Sequence, residues 1–251
     1  MDLLPSPNWA KIDNKPTETI KEICARIMQG FTPESIAQSK EHAAAPIVGV
    51  TLDDVRRLIY SRLSRIINGE RLTIQETDLD NYTASALYLS GAADFEQQQT
   101  ANGLPARLTK GLLFSGSLGS GKSSLLKALK YSDDIVLNNG WTVAATAIKI
   151  CNSWQVGGFQ GLESYISAKV LLIDELGREP LSVSNFGTPL NVIQYVLQQR
   201  YDDRRVTHVT TNIDDPDKIQ QLYGDYIASR FLEMFNVFVW GGDDRRPKLG
   251  A

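Results

Sequence analysis

The stretch Gly116-Ser117-Leu118-Gly119-Ser120-Gly121-Lys122-Ser123 constrains this chain more than any other. Its glycines, lysine and serine stand in the spacing of a phosphate-binding loop. The residue types follow from the task. Glycines let the backbone wrap closely enough for its N–H groups to face phosphate oxygens. A helix starting near Lys122 turns its positive end toward the same anion. Lys122 can reach β- and γ-phosphates, and the Ser123 hydroxyl can ligate Mg²⁺. By chance alone the pattern arises in roughly one chain of this length in a hundred. Here it also sits between a short apolar strand, Gly111–Ser115, and a helix from Lys122, which is the context the loop requires. The expected nucleotide cradle is Gly116, Ser117, Leu118, Gly119, Ser120, Gly121, Lys122, Ser123 and Ser124, with ATP and Mg²⁺ as its cofactors.

A second piece of chemistry ends the continuous apolar run Val170-Leu171-Leu172-Ile173. Such a run is the signature of a strand buried on both faces of a parallel sheet. Asp174 and Glu175 terminate it. A carboxylate at the end of a buried strand next to the phosphate loop can hold the magnesium ion. The second carboxylate is then placed to orient and deprotonate an attacking water. Asp-Glu could instead merely cap the turn at Leu176-Gly177, but the loop upstream favours the catalytic assignment.

The remainder alternates strand and helix. A β-branched strand is expected over 142–150, a helix over about 189–201, a strand over 206–211, and helices near 216–223 and 226–235. Alternation of this kind means a parallel sheet covered by helices, an α/β fold. Residues 1 to about 75 read differently, as a small all-helical unit. Thr19 and Glu22 form a capping-box pattern, and Pro33 suits the first turn of a short helix. After Thr51 come Val55, Leu58, Ile59, Arg62, Leu63, Ile66 and Ile67 on one helical face, with Gly69 ending the run. A further helix spans about Asp78 to Ser90, and the Gln-, Gly- and Pro-rich stretch 97–107 reads as a loop. The division expected is therefore 1–75 and 76–251.

Composition narrows the class. Among 251 residues, 42% hydrophobic and 22% charged content suits a packed globular core. No apolar run approaches the ~18 residues that span a bilayer, and Met1–Pro5 does not open a signal peptide. A cytoplasmic protein with no membrane partner is expected. Cys24, Cys151, His42 and His208 stand far apart, in no zinc spacing, and a disulfide has no support. The net charge of −3 argues against a broadly basic nucleic-acid-coating surface, though not against a local basic patch. Arg56, Arg57, Arg62 and Arg65 lie among apolar positions of one helix. Residues 1–75 nevertheless hold ten basic and nine acidic side chains, which is no electrostatic footprint for DNA. A helical bundle with a solvated charged face is favoured over a helix-turn-helix.

Asp174-Glu175-Leu176-Gly177-Arg178-Glu179 resembles the extended Walker B motif of DnaC-type helicase loaders and IstB transposition ATPases, both of the AAA+ class. Their pattern is commonly Asp-Asp-Leu-Gly-x-Glu, so Glu175 departs from it conservatively. Arg200-Tyr201 and Thr207–Asn212 are similar to the family's Arg-Tyr and Thr-Ser-Asn elements, which implies that Asn212 is the sensor-1 residue reading the γ-phosphate. Ser229-Arg230-Phe231 resembles the Ser-Arg-Leu box, implying that Arg230 is an arginine finger acting on a neighbouring subunit. Gly242–Arg246 looks like the final Gly-x-x-x-Arg segment, implying a sensor-2-like contact from Arg245 or Arg246. The resemblance covers roughly 105–251 and implies an AAA+ P-loop fold without a C-terminal helical lid. It also implies an ATP-hydrolysing homo-oligomer. Its partners would be a replicative helicase and single-stranded DNA, with residues 1–75 gripping the helicase. The alternative is an IstB-like regulator that binds duplex DNA and a transposase. A small-molecule phosphotransferase fits least, because Asp174, Glu175, Asn212 and Arg230 together describe water-attacked hydrolysis between subunits.

Overall fold

The computed structural model describes residues 51–66, 78–101, 103–131, 137–213 and 215–241. The expectations on residues 1–50, on Ile67 and Gly69, and on 242–246 with Arg245 and Arg246 lie outside the described residues.

The first described helix, α1 (Leu52–Ile66), begins as its sequence dictates. The Thr51 hydroxyl accepts the Asp54 N–H at 3.2 Å, and the Asp54 carboxylate accepts the Thr51 N–H at 3.1 Å. This reciprocal arrangement satisfies donors that a helix start leaves orphaned. Val55, Leu58, Ile59 and Leu63 are buried on one stripe. Helix α2 (Leu79–Ser90) is buried nearly all round, as a helix with little polar face must be. Gly91, at φ 67°, closes it.

Five strands follow in one wholly parallel sheet: β1 (Gly111–Gly116), β2 (Val143–Thr146), β3 (Val170–Leu176), β6 (Val206–Thr211) and β7 (Phe235–Trp240). Their order across the sheet is β2-β3-β6-β1-β7. Helices α3 (Lys122–Ala128), α4 (Ala147–Ser167), α5 (Val192–Asp202) and α6 (Pro216–Met234) cover it, and β4 (Val183–Asn185) pairs with β5 (Thr188–Leu190) in a separate hairpin. The parallel α/β expectation is met.

Strand alternation sorts the core into two layers. Leu112, Phe114, Leu172, Phe238 and Trp240 face α1, α2 and α3, and Leu113, Leu171, Ile173 and Val209 face α4, α5 and α6. Helix α1 therefore packs in the same apolar layer as the strand leading to the phosphate loop. Arg62, on its apolar stripe, donates to the Ala128 and Lys130 carbonyls at the end of α3. It pins α1 to the helix that leaves that loop.

Three sequence expectations are corrected. The strand expected over 142–150 ends at Thr146, whose hydroxyl caps a helix by accepting the Lys149 N–H at 3.2 Å. The helix expected from Pro189 starts at Val192, capped by the Asn191 side chain. Pro189 lies in the hairpin, whose turn residues Phe186 and Gly187 have φ 46° and 85°, the positive values a tight two-residue turn requires. Strand β7 takes Phe235, expected to end a helix, and runs on to Trp240 through residues for which no element is expected. Its buried Asn236 is matched by the Arg107 N–H and by the carbonyls of Arg107, Lys110 and Gly111. Strand β6 lies between β3 and β1. The pair of helices expected near 216–223 and 226–235 is present as α6, broken at Gly224 (φ 76°, ψ 169°).

Candidate nucleotide-binding site

All five strands end on one edge of the sheet, and the candidate site lies there. Strand β1 delivers Gly116, where an added Cβ would meet the Trp240 carbonyl oxygen at 2.1 Å. The loop closes at Gly121, whose φ of 107° is a region other residues avoid. Lys122 is buried within the loop it belongs to. Its ammonium donates to the Gly116 carbonyl at 2.7 Å and the Ser117 carbonyl at 2.5 Å, with the Ser120 hydroxyl at 3.4 Å. The Ser120 hydroxyl also bonds back to the Ser117 carbonyl at 2.9 Å. One cation thus sits at the centre of a ring of backbone.

Asp174 is brought to this loop although its strand is two places away in the sheet. The Ser123 hydroxyl donates to Asp174 Oδ1 at 2.5 Å, and the Thr210 hydroxyl donates to the same oxygen at 2.6 Å. Lys127 Nζ lies 2.8 Å from the other oxygen, Oδ2. Burial pushes the Asp174 carboxyl up, but the hydrogen bonds from Lys127, Ser123 and Thr210, with the Lys127 charge, outweigh it. The group is held below the usual carboxylate range. A serine hydroxyl and an ionised carboxylate in contact are hard oxygen donors of the kind Mg²⁺ takes beside water and phosphate. A lysine ammonium already rests on the carboxylate, so the site holds a cation. These residues fit the ion.

Glu175 occupies a β-bulge. The register between β3 and β6 shifts between Ile173 and Leu176, and Glu175 takes φ 61°. A non-glycine residue there is strained by about 1–3 kcal/mol, and bulges beside active sites re-aim a side chain. The Glu175 N–H donates to the Thr210 hydroxyl at 2.9 Å, and its carboxylate pairs with Arg178 at 2.9 Å. Thr210 thus ties both carboxylate residues to β6. Sequence reasoning gave it no role, and its one signal was a polar side chain within a buried strand.

Just beyond, Glu179 accepts the Gly177 N–H at 2.8 Å and the Tyr223 hydroxyl at 2.6 Å. Burial first, then the Glu179 charge, push the Tyr223 hydroxyl far up. The loop after the carboxylates is thereby fastened to the first half of α6.

Asn212 is exposed and follows β6 directly on the same edge. Its predecessor Thr211 is level with Ser115 of β1 and Leu176 of β3. Arg230 is elsewhere. Near it Lys110, which immediately precedes β1, donates to the Leu232 carbonyl at 2.9 Å. That places the end of α6 at the edge where β1 begins, opposite the phosphate loop. The Arg230 guanidinium stacks 3.7 Å from the Tyr226 ring centroid and 5.4 Å from that of Tyr201. The acids weighed as surface partners are engaged otherwise: Asp225 by Gln220, and Glu233 by Tyr201. Arg200 is wholly buried and bonds to Thr207 and to the carbonyls of Tyr165, Ile166, Ala168 and Val206. It joins α4, α5 and β6 and stands away from the candidate site.

No family model matches this sequence, and no curated protein matches it either. Solved structures do. The DnaC helicase loader is 19% identical, with a TM-score of 0.50 over 74% of this chain and 99% of that one. DnaI is 18% identical, with a TM-score of 0.49 over 76% and 93%. AMPPCP-bound DnaA from Aquifex aeolicus is 16% identical, with a TM-score of 0.44 over 69% and 50%. The fold is a parallel five-stranded sheet flanked by helices, a P-loop α/β fold. In that fold this chain is similar to the DnaC helicase loader. Among the described residues no helix is long and apolar enough to cross a membrane.

Proposed function

We propose that this chain is an AAA+ ATPase acting as a DnaC-like loader of a replicative helicase. ATP binding and hydrolysis would switch its self-assembly and its contacts with the helicase and single-stranded DNA. The observation that carries the reading is the contact between Ser123 and Asp174, 2.5 Å apart although 51 positions separate them in sequence. Glu175 stands beside them on its bulge.

The roles follow from the chemistry. Gly116 to Ser124 cradle the phosphates, and Lys122 turns from the loop carbonyls to the β- and γ-phosphates. Ser123 and Asp174 hold Mg²⁺, which supplies charge neutralisation at the phosphoryl group. Glu175, released from Arg178, accepts a proton from the attacking water. Asn212 orients that water from the end of β6. Arg230 lies away from its own chain's phosphate edge, which supports the reading that it serves a neighbouring copy in a homo-oligomer. One of Arg245 and Arg246 acts in cis as a sensor-2-like contact to the nucleotide. The N-terminal unit binds the helicase, and the protein works in the cytoplasm.

The test is a titration of the full chain with ATP, with and without Mg²⁺, beside a pull-down of a hexameric replicative helicase. Saturable Mg²⁺-dependent binding with nucleotide-sensitive capture of the helicase is expected. Binding without capture would leave an ATPase whose partner is another protein, and no binding removes the reading.

A further inference from the structure

We propose that Lys127 is a competing cation at the magnesium position: its ammonium and a divalent ion exclude one another on Asp174, so this lysine sets how far nucleotide binding depends on Mg²⁺. The inference rests on the nucleotide-site reading above.

Lys127 follows Ser123 by four residues on α3, which puts both side chains on one helical face. Its Nζ lies 2.8 Å from Asp174 Oδ2, while the Ser123 and Thr210 hydroxyls both donate to Oδ1. One ammonium and two hydroxyls therefore occupy the carboxylate that the divalent ion needs. While it donates to Asp174, the Ser123 hydroxyl keeps its lone pairs for a divalent ion, which would share the Asp174 carboxylate with the Lys127 ammonium. Two like charges then face each other across a few ångströms, a repulsion felt even in water. The two partners differ in what they can do about it. The Asp174 side chain is 6% exposed and fixed by β3 and β6, whereas the Lys127 side chain is 48% exposed at the end of a flexible stem. The lysine is the group that moves.

The exchange has two consequences of opposite sign. With Lys127 present, the phosphates of a metal-free nucleotide gain a second cation near the loop beside Lys122, so binding without Mg²⁺ is supported. With Lys127 present, Mg²⁺ must also displace a charge already neutralising Asp174, so a higher concentration is needed. Removing the charge reverses both.

The experiment uses the full chain as the parent, Lys127→Met and Lys127→Arg. Affinity for AMPPCP, an ATP analogue that resists hydrolysis, is measured by calorimetry across a Mg²⁺ series that starts in EDTA. Mn²⁺ binding without nucleotide is followed by its paramagnetic resonance signal. Lys127→Met should lower the Mg²⁺ midpoint about threefold or more, within reach of a part-exposed ion pair. It should also weaken AMPPCP binding in EDTA and tighten Mn²⁺ binding, while Lys127→Arg stays close to the parent. Equal midpoints in the parent and Lys127→Met overturn the proposal, as does a midpoint that rises. If the parent binds no AMPPCP in any arm, the nucleotide-site reading itself fails and this inference with it. If the parent binds and the variant does not differ, only the role of Lys127 falls.

Discussion

Three side chains from two elements converge on Asp174, and this crowding shapes what single substitutions should do. Lys122→Ala removes the loop's central cation and leaves the Gly116 and Ser117 carbonyls facing one another. Charge-assisted contacts are worth about 1.5–3 kcal/mol each, so ATP affinity should fall tenfold or more in a calorimetric titration. Unchanged affinity would mean that phosphate binds elsewhere. Glu175→Gln keeps the bulge and its N–H bond to Thr210, but the amide accepts no proton. ATP should still bind while turnover falls by roughly 10²–10⁴, and a parent-like rate would move the base to another residue. His208 supplies a pH test. Its ring accepts the Leu112 N–H at 3.0 Å and donates to the Asn139 carbonyl at 2.8 Å, so it is neutral and fully buried. Burial, opposed by the Asn139 carbonyl and aided by the Arg200 charge, pushes it down to about 4. The unfolded chain, with an ordinary histidine near 6.5, then binds more protons between the two values. Stability from this group is complete above about 6.5 and is lost as pH falls toward 4, by ~2 kcal/mol at about pH 5. Denaturant unfolding of the parent and of His208→Gln at the two pH values checks this. The parent should lose more stability than the variant on acidification.

At the scale of elements, α1 packs on the unit that carries the phosphate loop. Sequence patterning groups it with residues 1–75, yet Leu58, Ile59 and Leu63 are in one apolar layer with Leu125, Phe114 and Trp240. The reason is physical: α3 is only seven residues long and cannot cover its side of the sheet alone. We expect a fragment starting at residue 51 to unfold cooperatively. One starting at residue 76 should be several kcal/mol less stable or aggregate, since losing a single buried leucine costs about 2–5 kcal/mol. Melting curves of the two fragments separate the cases, and equal stability would return α1 to an independent N-terminal unit. Helix α6 works as two pieces. Tyr223 fastens the first to the loop after the carboxylates through Glu179, and past Gly224 the second carries Arg230 toward the far edge. The break at Gly224 was legible because glycine interrupts an otherwise helical pattern. Helix α4 was not, since Gly157, Gly158 and Gly161 dilute its pattern. An added Cβ on Gly161 would meet the Ser153 carbonyl at 2.1 Å, and only that close approach explains the glycine.

At the scale of the whole molecule, the phosphate loop and Arg230 lie at opposite edges of the sheet. Under the proposed function, one protomer would hold both halves of a shared site without being able to join them. Arg230→Ala should bind ATP normally and hydrolyse it slowly, with losses up to ~10³-fold, and parent specific activity should rise with protein concentration. Mixing Arg230→Ala with Lys122→Ala should restore part of the turnover, because one supplies the pocket and the other the arginine. A merely structural Arg230, stacked on Tyr226 and Tyr201, gives no rescue in the mixture, and the steady-state ATPase assay reads this directly.

The sequence by itself determined the phosphate loop, the carboxylate pair and the parallel α/β class. Each is written in contiguous residues whose types the local chemistry demands: glycines at a tight loop, a buried apolar run ended by acids. Only the tertiary structure decided the rest. That Thr210 holds Asp174 and Glu175 and that Arg200 is an internal brace depend on where β6 lies in the sheet, and that Lys127 shares the carboxylate with Ser123 and Arg62 braces α1 depends on where α3 packs. Strand order and helix packing are set by how the whole set of apolar faces is buried at once. No local window of sequence contains that sum.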